Sequence, residues 1–189
     1  MTEFYDSNSA TRAINTYLTY AKQLGNKDLV ILTLIAYKGE TNAKFIEKVT
    51  GANPFLSLQH LEELELLNVN SSQRQYTYSL KNNVEGSKVY PESVMYVFAN
   101  ALFNVGTYFK KYKITQWNNI AAIIEAPLLT NKQSRVENFE NEISCIGGNN
   151  YNKRCIKNTL VKIGVFKRRG EFRSPYYTLN KHAYLLGAK

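Results

Sequence analysis

Between Asn150 and Arg173, nearly all the side chains able to do chemistry are cations and amides. Tyr151, Asn152, Lys153, Arg154, Lys157 and Asn158 come first. On a helix, Lys153, Arg154, Lys157 and Asn158 fall on one face, because neighbours and residues a turn apart lie side by side. Lys167, Arg168, Arg169 and Arg173 follow, interrupted by Gly170 and Glu171. Groups of this kind suit a polyanion. A guanidinium pairs bidentately with a guanine edge and a carboxamide with an adenine edge. Ammonium groups and a tyrosine hydroxyl suit phosphate oxygens.

The charge balance of the chain points the same way. There are 24 Lys and Arg against 15 Asp and Glu, a net charge of +9. Residues 1–89 hold nine basic and nine acidic residues, and residues 90–149 hold five of each. Residues 150–189 hold ten basic residues and one acid, Glu171. The whole excess therefore sits in the last forty residues, along one helix face and the turn beside it. A field of one sign with that shape attracts nucleic acid.

Other chemistries find little support. No phosphate-cradling glycine loop and no HExxH or GxSxG motif occurs. Glu62, Glu63 and Glu65 cannot share one helix face, and Glu137 and Glu140 read as a solvated one. Cys145 and Cys155 lie far in sequence from His60 and His182, without CxxC spacing, so neither a zinc site nor a structural disulfide is expected. Tyrosines near cations, at Tyr151 and Tyr176, are too common a pairing to indicate a nucleophile. No enzymatic activity, metal or cofactor is expected. With no apolar run of membrane length and no secretory pattern in MTEFYDSNSATR, a cytoplasmic protein is expected.

The elements that position the cations can be read from periodicity. A helix over roughly Asn150–Ile163 has Ile156, Leu160 and Ile163 inside, with Cys155 on that inner side, and Gly164 stops it. Val165 and Phe166 start a strand, Lys167–Arg173 form a charged hairpin tip, and Tyr176, Tyr177, Thr178 and Leu179 return. Upstream, Asn131–Ile143 reads as a helix, followed by a turn at Gly147, Gly148 and Asn149. Thr115–Ala126 reads as a helix stopped by Pro127, and Glu92–Lys110 as one long helix.

The first half has a similar succession. A helix from Ser9, capped by Ser7 or Ser9, buries Ala10, Ile14, Tyr17, Leu18 and Ala21. Asn26–Lys38 fits a buried helix by its length and by Gly39 at its end. Thr41 caps the next helix, whose inner face is Ala43, Phe45, Ile46 and Val49. Gly51 breaks it, and Asn53 or Ala52 starts a third helix, with Pro54 in its first turn, that carries Leu58, Leu61, Leu64 and Leu67. Val69 and Gln73–Leu80 read as a small hairpin.

The segment Tyr151–Asn180, with its cationic helix and basic hairpin, resembles the recognition helix and wing of winged helix-turn-helix proteins. TNAKFIEKVTGANPFLSLQHLEELELLNV resembles the helix-turn-helix of bacterial regulators in that superfamily. Those regulators place a glycine where Asn68 stands, which implies a left-handed turn there. These resemblances imply a mainly α fold with small β-hairpin wings in a tandem winged-helix architecture. The expected units are residues 1–82 with a leading helix, a linker at 83–91, and a basic unit at 92–189. The implied activity is double-stranded DNA binding, as a sequence-specific transcriptional regulator. A plasmid or phage replication initiator or partition protein, or a structural protein-interaction subunit, are the alternatives. The expected contacts are Tyr151, Asn152, Lys153, Arg154, Lys157, Asn158, Lys167, Arg168, Arg169 and Arg173. A second surface is formed by Asn53, Ser57, Gln59, His60 and Arg74. Pairing as a homodimer is expected through the N-terminal unit or the 92–110 helix.

Overall fold

The computed structural model of the chain describes residues 5–72, 74–86, 88–129 and 150–180. At its centre lie two helices that are buried on all sides, α2 (Asn26–Lys38) and α7 (Trp117–Leu129). Every residue from Leu29 to Tyr37 is buried, as is every residue from Ile120 to Leu129. A helix apolar all round belongs inside a larger body. Thr33 is tolerated there because its hydroxyl donates to the Leu29 carbonyl at 2.7 Å. Pro127, the expected stop of α7, lies inside it. In the last turn its missing N–H costs only the bond to the Ile123 carbonyl, and the helix runs on to Leu129.

Helix α1 (Ser7–Tyr20) packs on α2 and on α5 (Glu92–Phe103). Ala10, Ala13, Ile14 and Tyr17 are buried, but Leu18 is 44% exposed, on the flank of the stripe rather than in it. The cap is Asp6, not a serine. Its carboxylate accepts from the Ser9 N–H at 2.7 Å, whereas Ser7 and Ser9 already belong to the first helical turn. The bonds to Ser9 hold the Asp6 carboxyl below the usual carboxylate range. A depressed folded pKa means that the cap stabilises above the unfolded carboxylate value, about 3.9, and is lost as pH falls through the folded one. Asp6→Ala is expected to cost about 1 kcal/mol near neutral pH. Asp6→Asn caps without titrating, so its stability relative to wild type should rise below about pH 4 in urea titrations.

Gly39, at φ 80°, turns the chain out of α2 into the short strand β1 (Glu40–Asn42). Thr41 lies in that strand opposite Tyr78, and the cap of α3 (Ala43–Thr50) passes to Asn42. The Asn42 carboxamide accepts from the Phe45 N–H at 2.9 Å. Gly51, left-handed at φ 70°, ends α3. Helix α4 (Phe55–Glu63) buries Leu58 and Leu61, while Leu64 is 44% exposed beyond its end. Glu65, at φ 58°, makes the left-handed turn. Asn68 instead sits in β2 (Leu67–Ser72), paired with Ser79 of β3 (Gln75–Leu80). The strands form an antiparallel sheet in the order β1-β3-β2.

The single helix expected over 92–110 breaks at Asn104 into α5 and α6 (Val105–Lys111). The Asn104 side chain donates to the Asn100 carbonyl at 2.8 Å and bonds the Asn100 carboxamide, so side chains compete with the helical ladder. The bend lets α6 close on α3. A Cβ at Gly106 would lie 2.9 Å from the Val49 carbonyl oxygen, which only glycine avoids. The irregular segment before α5 is largely exposed but touches the body at two points. Gly86 abuts the Asn15 carboxamide, and Tyr90 is buried.

The last described elements are α8 (Asn150–Lys162) and the hairpin β4 (Phe166–Glu171) and β5 (Ser174–Leu179). The chain is thus mainly helical with small antiparallel sheets. Buried side chains from Ala10 to Tyr177 belong to one continuous cluster that crosses the 83–91 segment. Among the described residues no helix is long and apolar enough to cross a membrane. The expected Asn131–Ile143 helix, the Gly147–Asn149 turn, Gln73 and Cys145 lie outside the described residues.

Candidate nucleic-acid interface

Helix α8 is seated by Leu160 and Ile163, both buried, against α7 and β4. Gly164, at φ 82°, ends it, and the Val165 N–H returns to the Leu160 carbonyl at 3.0 Å. Asn180 locks the base of the hairpin to this corner. Its carboxamide donates to the Gly164 carbonyl at 2.9 Å and its N–H to the Val165 carbonyl at 2.9 Å. Helix and hairpin are therefore held together at one fixed joint.

The hairpin pairs Phe166 with Leu179, Arg168 with Tyr177 and Arg169 with Tyr176. Alternation puts Phe166, Arg168, Tyr177 and Leu179 on one face and Lys167, Arg169 and Tyr176 on the other. Phe166 and Tyr177 bury the first face at its base. Further out the same face carries Arg168, so the two faces both present cations. The strands extend through Lys167–Glu171, and only Phe172 and Arg173 form the tip. Gly170 is required there. It sits at φ 81°, and a Cβ would lie 2.8 Å from the Ser174 carbonyl oxygen.

Arg154 and Asn158 are exposed on α8, as are Lys167, Arg168, Arg169 and Arg173 on the hairpin. Lys157 is half-buried, with its ammonium 5.6 Å from the centre of the Tyr177 ring. Arg168 lies 5.5 Å from the Phe172 ring centre and donates to the Phe172 carbonyl at 3.4 Å. Salt bridges among the described residues lie elsewhere, at His60–Asp28 and Lys81–Glu65. Tyr151, Asn152 and Lys153 fall in the first turn of α8, but their side chains, like that of Ile156, are outside the described residues. Cys155, expected inside, is exposed.

The second expected surface is different. Ser57 is 3% exposed, so it is withdrawn from the contact set; it faces the body with Leu58 and Leu61. The Asn53 carboxamide accepts from the Phe55 N–H at 2.9 Å, and its carbonyl accepts from Lys27 at 3.0 Å. Gln59 donates to Glu63 at 3.1 Å. His60 is tied to Asp28 at 2.6 Å, which sets a carboxylate beside it. Arg74 is exposed at the β2–β3 turn, in a left-handed conformation at φ 69°. The spacing does not reveal Phe55 and Leu56, which are 66% and 74% exposed at the start of α4. Both belong to an apolar run, and apolar identity alone does not say which side of a helix is covered.

Comparison of the chain with protein families, with characterised proteins and with solved structures finds no match.

Proposed function

We propose that this chain is a tandem winged-helix protein that binds double-stranded DNA, and that it acts as a sequence-specific transcriptional regulator. The observation that carries the reading is the cationic surface of α8 and the β4–β5 hairpin. Residues 150–180 hold eight Lys and Arg against Glu171 alone. Among the described residues, no salt bridge engages Arg154, Lys167, Arg168, Arg169 or Arg173. The order helix, strand, helix, helix, hairpin in α2–β3, with sheet order β1-β3-β2, supports a winged-helix layout for the first unit. The α8–hairpin joint supports the same for the second.

In this reading α8 lies in the major groove. Arg154 is placed for a guanine edge and Asn158 for an adenine edge. Lys167, Arg169 and Arg173 hold phosphates, and Arg168 reaches the adjoining backbone or minor groove. The first unit serves assembly. Exposed Phe55 and Leu56 beside Glu62 and Glu63 suit a second copy of the chain better than phosphate.

Selection of bound fragments from random duplex DNA tests the reading. A regulator is expected to enrich one palindrome, with half-sites about one helical turn apart if the chain pairs. Iterated direct repeats would point instead to a replication or partition role. Failure to retain any duplex at physiological salt would overturn DNA binding.

A further inference from the structure

A cleft of about 590 Å³ opens between α3 and the α5–α6 corner, away from the cationic hairpin. Its volume is that of a site for a small organic molecule. The walls are apolar and aromatic: Phe45, Val49, Tyr96 and Phe103 contribute, and Phe45 and Phe103 stack edge to face at 6.4 Å. Gly106 lets the α6 backbone approach α3 and shapes one end. Exposed Lys48, Lys110 and Lys111 belong to its lining, which among the described residues contains no acid. These three ammonium groups form no ion pair among the described residues.

Tyr5 also lines the cleft, with its ring 5.4 Å from Tyr96 in edge-to-face contact. Its hydroxyl is buried and has no hydrogen-bond partner among the described residues. Buried polar groups are normally satisfied, so an orphan beside a cleft is a place for a ligand acceptor. Burial foremost, then the nearby Glu92, raises the Tyr5 pKa, so the hydroxyl stays protonated and able to donate. The carboxylates of Glu92 and Asp6 act on Tyr5 from outside the cleft lining.

We propose that this cleft binds a small aromatic carboxylate, with its ring among Phe45, Tyr96 and Phe103 and its anionic end towards Lys48, Lys110 and Lys111. An occupant would touch both α3 and α5–α6, which lie on opposite sides of the 83–91 segment. Such binding is independent of whether the chain holds DNA.

Titration calorimetry of the full chain with 2-naphthoate and with the neutral 2-naphthalenemethanol tests it. The acid is expected to bind on the order of tenfold more tightly than the alcohol, since three exposed cations each contribute a modest screened attraction. In K48Q/K110Q/K111Q that preference should vanish while the alcohol binds as before. T107W, a substitution at an exposed position of the lining, should abolish binding of both while the chain still unfolds cooperatively. Equal affinity for acid and alcohol in the wild type, no binding of the acid at millimolar concentration, or unchanged binding in T107W overturns the proposal.

Discussion

Replacing Arg168 and Arg169 together with alanine is expected to weaken binding to duplex DNA of every sequence by roughly a hundredfold. That magnitude follows from two charge-assisted hydrogen bonds at about 1.5 kcal/mol each. The salt dependence should also flatten, by about 0.9 units of log K per log salt for each phosphate that is no longer neutralised. The two side chains leave opposite faces of β4, so a single strand of phosphates does not account for both. Both are exposed, and the hairpin is fixed at its base by Phe166, Tyr177 and Asn180, so the double variant should keep its fold. Arg154→Ala is the contrasting case. Arg154 is exposed on α8; if it reads a base edge as proposed, its removal should relax preference at one base pair by about 1–3 kcal/mol. Filter binding across a salt series distinguishes these effects. An unchanged slope in the double variant, together with an unchanged site preference for Arg154→Ala, would sink the DNA reading.

The asymmetry of the two units follows from charge and exposure together. Residues 1–89 sum to zero charge. Their α4 offers Phe55 and Leu56 to solvent and sets Asp28 against His60. A duplex approaching α4 would meet carboxylates and exposed apolar side chains. Approaching α8, it would meet Arg154, Asn158 and the hairpin cations, with Glu171 the one acid within residues 150–180. On the proposed reading, electrostatic grip and assembly therefore fall to different helices, although both helices are followed by a hairpin.

Much of the local structure is legible because it depends on residues close in sequence. Gly39, Gly51 and Gly164 all take positive φ where the periodic runs end, so those stops follow from backbone sterics alone. The β4–β5 hairpin can be read from its apolar ends and glycine. Elements decided by distant contacts are not legible. The break at Asn104 brings Gly106 onto the Val49 backbone of α3, a contact that no local pattern announces. Ser57 has the type of a surface hydroxyl, and only its packing shows that it is buried. Asp6, Ser7 and Ser9 are equally good caps by type, and it is dihedral angles that separate them. The cleft beside α3 joins residues far apart in sequence, so no spacing pattern announces it.

The continuity of the core across residues 83–91 is equally invisible in the sequence, and Tyr17 is its sharpest test. From α1 its ring meets Phe98 of α5 edge to face at 6.1 Å. Its hydroxyl lies within hydrogen-bond reach of the Ala121 carbonyl, at 3.0 Å, and of Glu125, at 3.2 Å, both on α7. Glu125 is itself 4% exposed, so Tyr17→Phe removes one hydrogen-bond partner from a buried polar side chain. Tyr17→Phe should cost about 0.5–1.5 kcal/mol, the net range for one intramolecular hydrogen bond. Tyr17→Ala also removes the ring and leaves a cavity, and should cost about 3–5 kcal/mol. If α1 and α2 share one cooperative core with α5 and α7, urea unfolding followed at Trp117 and by helical circular dichroism should shift together in both variants. A variant that moved one signal and spared the other would show that the two segments unfold separately. The buried bridge from Tyr17 to α7 would then contribute little to holding them together.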